Sequence, residues 1–220
     1  MNYTLFTIFT FSISISAILA WIRLNKIDST YYPFIFCISI AFCVELLSYI
    51  FTHAGGTTKS NAVIYNIYAL VEALLITWQF EKWNLFYRFK WLFRALIISF
   101  AVFWVAECFF FDAIHSTTSY FRFYYSAVIV IMSVNVLNKE LMTETKNIFK
   151  NSIFLICLAF IIYYFFEAII VIFWLYGYGK SVDFLVRLIL ITLYLNFIAN
   201  LIYALAVLWM PRKNRFLLQY

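Results

Sequence analysis

Six ionisable residues stand inside otherwise apolar stretches of the chain: Glu45, Glu72, Glu107, Glu167, Arg122 and Arg187. An ionised group at the centre of a bilayer costs about 2.5–3.5 kcal/mol on insertion scales. Such groups therefore face other helices or a watery cavity, where they can hold an ion, carry a proton or bind a polar ligand. Acids and bases together suit a zwitterion or a small polar molecule. They also suit interhelical ion pairs that only fix packing.

Two polar stripes accompany them. Asn61, Tyr65, Tyr68, Glu72 and Gln79 follow steps of four, three, four and seven, which places all of them on one helical face. Thr192, Asn196, Asn200 and Tyr203 form a second stripe, and Tyr163 and Tyr164 lie one turn before Glu167. A polar face in lipid must be buried against protein or water. Asparagines between helices form interhelical hydrogen bonds of about 0.6 kcal/mol each, and with Glu72 they can also build a ligand or ion site.

Other chemistries lack their residues. The chain has two histidines, His53 and His115. Ser48 and His53 faintly resemble the second-helix pattern of the alkaline-ceramidase type of seven-span zinc hydrolase, but the last apolar run has no histidine to complete a zinc site. Bis-histidine ligation of two haems fails on the same count. A retinal Schiff base needs a lysine within the last helix, and the nearest, Lys180, precedes it. The loop at 55–60 lacks phosphate-loop spacing and reads as a turn. The four cysteines, Cys37, Cys43, Cys108 and Cys157, sit in apolar runs without C-x-x-C spacing and read as small hydrophobes. No G-x-S-x-G occurs, and no cofactor motif is present.

The elements that must position these residues follow from composition. Apolar residues make up 66% of the 220, charged residues 12%, and mean hydropathy is +0.92. A soluble domain carries about 25% charged residues. A membrane-spanning helix needs ~20 apolar residues, and seven runs qualify: 3–22, 31–52, 61–80, 91–111, 119–137, 152–176 and 182–209. The expected fold is an all-α integral membrane protein, a seven-helix transmembrane bundle over 1–210 with a short basic tail over 211–220. With only 4 Gly and 2 Pro, continuous helices are expected rather than the broken helices of many transporters.

Basic residues set the orientation. Arg23, Lys26, Lys82, Arg88, Lys90, Arg94, Lys139, Lys146, Lys150, Arg212, Lys213 and Arg215 fall on one side of this arrangement, against Lys59, Arg122, Lys180 and Arg187 on the other. The richer side is expected to be cytoplasmic, with the N-terminus outside and the C-terminus inside. The formal charge of +6 is thus read as topology, not as nucleic-acid binding. Tryptophans near the run ends fit the same boundaries. Apolar residues 3–20 precede Arg23 and Lys26, the reverse of a secretory signal.

The basic-aromatic stretches 81–90 and 211–220 suit an interface. Lys82, Arg88, Lys90, Arg212, Lys213 and Arg215 are expected to meet anionic lipid at about 1 kcal/mol each, or a cytoplasmic protein partner. The Phe-, Ile-, Tyr- and Asn-rich style points to an AT-rich bacterial genome and a multi-pass protein of the cytoplasmic membrane. The polar residues expected at a site are Glu45, Glu72, Glu107, Glu167, Arg122, Arg187, Tyr65, Tyr68, Asn196 and Asn200. The first functional expectation is a ligand-binding or sensing module with an outward polar cavity and a separate partner. A small proton- or ion-coupled transporter or pore is the alternative, and a lipid-modifying enzyme the third.

Overall fold

A computed structural model describes residues 3–54, 58–110, 114, 119–143, 148–176 and 182–213; for residues 3–6, 58–60, 143, 182, 183, 185 and 189 it describes the backbone alone. The helices are α1 Tyr3–Thr10, α2 Ile13–Arg23, α3 Tyr32–His53, α4 Thr58–Lys82, α5 Lys90–Phe110, α6 Ser119–Thr143, α7 Ser152–Tyr176 and α8 Val182–Trp209. Seven stretches are long and apolar enough to cross a membrane: Thr7–Lys26, Ser29–His53, Asn61–Lys82, Lys90–Phe110, Ser119–Met142, Ser152–Tyr176 and Val186–Trp209.

The helices pack as a ring. α2 lies against α3, α3 against α4, α4 against α6, α6 against α7, α7 against α8, and α8 returns to α1 and α2. α5 stands outside, touching α4 and α6. Close approach rests on small residues: Ala17, Ala20, Ala69, Ala73, Ala199 and Ala206 are almost wholly buried. Interlocked rings fill the middle. Phe34 meets Tyr203 at 5.3 Å and Phe160 at 6.1 Å, and Phe160 meets Tyr203 and Tyr164 at 5.8 Å each, all edge-on.

The first apolar run is not one helix, contrary to expectation. It breaks between Thr10 and Ile13 without glycine or proline. The Ser12 hydroxyl donates to the Phe9 carbonyl at 2.6 Å, and the backbone tightens there, Ser12 N–H reaching Phe9 O and Ser14 N–H reaching Phe11 O. A serine hydroxyl can compete with the helix for a backbone carbonyl. Asn200 of α8 then donates to the Ser12 hydroxyl oxygen at 2.8 Å, so the break is held from across the ring.

The basic end is tied together by polar groups. Gln79, fully buried on α4, accepts from Phe34 N–H at 2.9 Å and donates to the Thr30 carbonyl at 2.8 Å. It thereby satisfies an orphan donor in the first turn of α3, where Pro33 has none to offer. Asn151 accepts from the Ile153 and Phe154 N–H groups and starts α7. Arg23 donates to the carbonyls of Val207 and Met210 and closes the end of α8.

The region after residue 210 is not simply a free tail. Residues 211–213 pair with the loop 26–28: Lys213 N–H donates to Lys26 O at 2.7 Å, Asp28 N–H donates to Pro211 O at 3.1 Å, and Ile27 is enclosed between them. Arg212 and Lys213 keep exposed side chains, as do Lys82, Arg88 and Lys90, while Trp83 and Phe86 turn inward. The turn after α4 uses Asn84 at φ 57°, a residue type that tolerates the left-handed region. Arg215, Lys146, Lys180, His115 and the glycines of the 55–60 turn lie outside the described residues.

Gln79→Leu is expected to leave Phe34 N–H and the Thr30 carbonyl unpaired and to cost about 2 kcal/mol, measured by thermal unfolding in detergent. The Thr30 hydroxyl and then its backbone N–H, both donating to Asp28, hold that carboxyl below its ordinary value of 3.8, with Lys213 helping and burial opposing. Its contribution is therefore full above 3.8 and is lost as pH falls through the lowered value. Amide exchange at Asp28 and Lys213 is expected to accelerate over that acid window in the native chain, and the Asp28→Asn variant is expected to lose this limb.

Candidate functional site

The polar centre of the ring is Glu72, on the fourth turn of α4. Its position four residues after Tyr68 stacks the two on one face, and Tyr68 donates its hydroxyl to Oε1 at 2.7 Å. Tyr125 of α6 donates to Oε2 at 3.2 Å. Each carboxyl oxygen thus accepts an O–H from a tyrosine. Glu72 is 9% exposed, and that exposure is to a cavity.

The inner cavity has a volume of about 90 Å³. Glu45, Glu72, Asn196, Asn200 and Tyr203 bring polar groups to it, and Phe34, Phe160, Tyr163 and Tyr164 form aromatic wall. Asn200 is 2% exposed, lines the cavity, and donates to Ser12 and to Asn196 Oδ1. Tyr203 is 8% exposed and lines the same cavity.

A second cavity of about 360 Å³ lies farther from the basic end, between α1, α3 and α4. Ser48, Thr52, His53, Asn61 and Tyr65 line it, and Glu45 and Thr10 belong to both cavities. Tyr65 donates to Glu45 Oε2 at 3.1 Å, so one oxygen of Glu45 is engaged at the junction and the other is not. Toward the basic end, the rings of Phe34, Phe80 and Phe160 pack together with Ile76 and close the inner cavity. The inner lining reaches no farther toward that end than Phe34, Ile76, Phe160 and Tyr203.

The residues expected at one site divide into four groups. Glu45, Glu72, Tyr65, Tyr68, Asn196 and Asn200 line the two cavities. Glu107 is elsewhere: it accepts from the Tyr120 and Phe121 backbone N–H groups at 3.1 and 2.6 Å and caps α6 from α5. A carboxylate at a helix N-terminus answers both the orphan donors and the dipole. Arg122 and Glu167 pair with each other at 3.2 Å, at 20% and 11% side-chain exposure. Arg122 also donates to the Tyr65 carbonyl at 3.4 Å, so the pair bolts α4, α6 and α7 behind the cavity. Arg187 is exposed on α8 and does not join the cluster.

The sequence reading passed over Ser12 and Tyr125. The signal for Ser12 was its i, i+4 spacing with Ser16, both of which are buried. Tyr125 carried a weaker one, three residues after Arg122 on the same helix face.

Removing one partner of a buried pair strands the other charge. Glu167→Leu is expected to destabilise the protein by about 3–5 kcal/mol, whereas the double change Arg122→Leu with Glu167→Leu recovers most of that loss. Denaturant unfolding of the two variants beside the native chain measures it.

No protein-family model matches this chain, and neither a curated protein nor a solved structure matches it.

Proposed function

We propose that this chain is a multi-pass protein of a bacterial cytoplasmic membrane that recognises a small ligand from outside the cell. The ligand enters at the end away from the basic loops and settles between α2, α3, α4, α7 and α8. The basic loops then face the cytoplasm, with Lys82, Arg88, Lys90, Arg212 and Lys213 available to anionic lipid or to a signalling partner. The observation that carries the reading is the polar-lined cavity. A site shaped for binding is concave, largely apolar and fitted with a few convergent polar groups, and this one has them at Glu45, Glu72, Asn200 and Tyr203. A pore needs a continuous path, and the inner lining stops at Phe34, Ile76, Phe160 and Tyr203.

A carrier is the second reading, and the break between α1 and α2 favours it. Discontinuous helices frequently border the substrate site of a transporter, and this break abuts the inner cavity at Thr10 and Ile13.

Ser48→Cys separates the two readings. Ser48 lines the outer cavity. A membrane-impermeant thiol reagent is expected to label the variant above the background of the four native cysteines from the extracellular side only. Labelling from both sides of oriented vesicles supports the carrier, and labelling from neither removes the open cavity.

A further inference from the structure

The lining of the cavity says which class of ligand it takes. Glu45 and Glu72 supply two carboxylates. Among the described residues no lysine or arginine lines either cavity, and the nearby base Arg122 is paired with Glu167. His53 is the one imidazole among the described lining residues, at the outer rim, where its ring faces the Tyr49 carbonyl at 2.8 Å. The ionisable groups that line the cavity, among the described residues, are therefore acidic. An anionic guest would meet two acidic side chains and no cation among those residues, an arrangement that disfavours binding.

The walls narrow the class further. A bare divalent cation such as Ca²⁺ takes six to eight oxygen ligands. Among the described residues no three His, Cys, Asp or Glu side chains converge on a metal-sized space. The wall between the carboxylates is instead aromatic: Phe34, Phe160, Tyr163, Tyr164 and Tyr203. Ring faces attract an ammonium group, most strongly where water is excluded. The Tyr203 hydroxyl and the Asn200 amide oxygen belong to lining residues of the inner cavity and are of the type that accepts from an ammonium N–H or a ligand hydroxyl. Tyr65 and Glu72 are seven residues apart on α4, a rise of about 10 Å, so the acids mark an entry and an inner position along one path. With about 90 Å³ at the inner position, the guest there is small.

We infer that the cavity binds a small organic ammonium ion, its cationic head drawn past Glu45 to the aromatic chamber beside Glu72. The inference rests on the reading of the cavity as a ligand site.

The test uses the full chain in lipid nanodiscs and follows thermal stability against four probes. These are tetramethylammonium, choline, the uncharged choline isostere 3,3-dimethylbutan-1-ol, and acetate. Binding to the folded state raises the unfolding temperature with ligand concentration. Both cations are expected to do so, and the isostere and acetate are not. Glu72→Gln and Glu45→Gln are each expected to weaken the cations about tenfold. Glu45 accepts a single side-chain hydrogen bond, so its variant is the arm in which folding is least at stake. Ala41→Phe fills a wall position of the inner cavity and is expected to abolish the effect.

Stabilisation by the isostere or acetate that Ala41→Phe removes would leave a ligand site of another class and overturn the ammonium assignment alone. Cation stabilisation that survives Ala41→Phe would place binding outside the cavity and overturn the proposal. No stabilisation by any probe would also overturn it, and labelling of Ser48→Cys then reports separately on whether the cavity is open.

Discussion

Each helix terminus leaves four N–H or four C=O groups without an intrahelical partner, and in so apolar a bundle other helices must supply the partners. Much of the polar inventory goes to that need. Gln79 of α4 serves the start of α3, Glu107 of α5 serves the start of α6, and Arg23 at the end of α2 serves the end of α8. These bonds fix which helix ends lie side by side, and so fix the ring. Polar groups left over after the ends are satisfied have a different meaning. Glu45, Glu72, Asn200 and Tyr203 serve no helix end, and they converge on one space.

This sorting explains how far the chain could be read from its sequence. The spans were legible because an apolar run of ~20 residues is a strong, local signal, and the helices lie close to the runs. The stripe through Tyr65, Tyr68 and Glu72 was legible too, because helical periodicity fixes a shared face whatever the face meets. Glu107 and Glu72 present the same local pattern, one acid in an apolar run, yet one caps a helix and the other borders a cavity. The difference lies in partners far along the chain: Glu107 meets residues 13 and 14 positions on, and Glu72 meets one 53 positions on. Arg122 and Glu167, expected in the cavity, are set behind it by a pairing of the same long-range kind, 45 residues apart. The break in the first span was illegible for another reason. It depends on a serine side chain and an asparagine 188 residues away, not on a helix-breaking residue type.

Packing geometry accounts for the cavity itself. Alanines bring helix backbones close at several contacts, while the centre is filled by rings that meet edge-on. Flat, rigid rings cannot adjust as methionine or leucine can. Where small residues of α8 face rings of α3 and α7, space remains, and the polar groups of α4 and α8 line it. Thr10 and Ile13, on either side of the break, line the same space, so one asparagine both binds Ser12 at the break and lines the chamber.

The short pairing between 26–28 and 211–213 carries a consequence for assembly. It joins segments separated by nearly the whole chain, and with Arg23 on α8 it seals the seam between the first span and the last. Translation supplies α8 after every other helix. Until then the first span has α3 on one flank, and Ser12 lacks the amide donor that Asn200 supplies. The ring is therefore closed by α8, and the pairing at the basic end ties that helix to the first span. A chain with that pairing undone would be a barrel hoop without its rivet: the staves in place, the circumference free to spread.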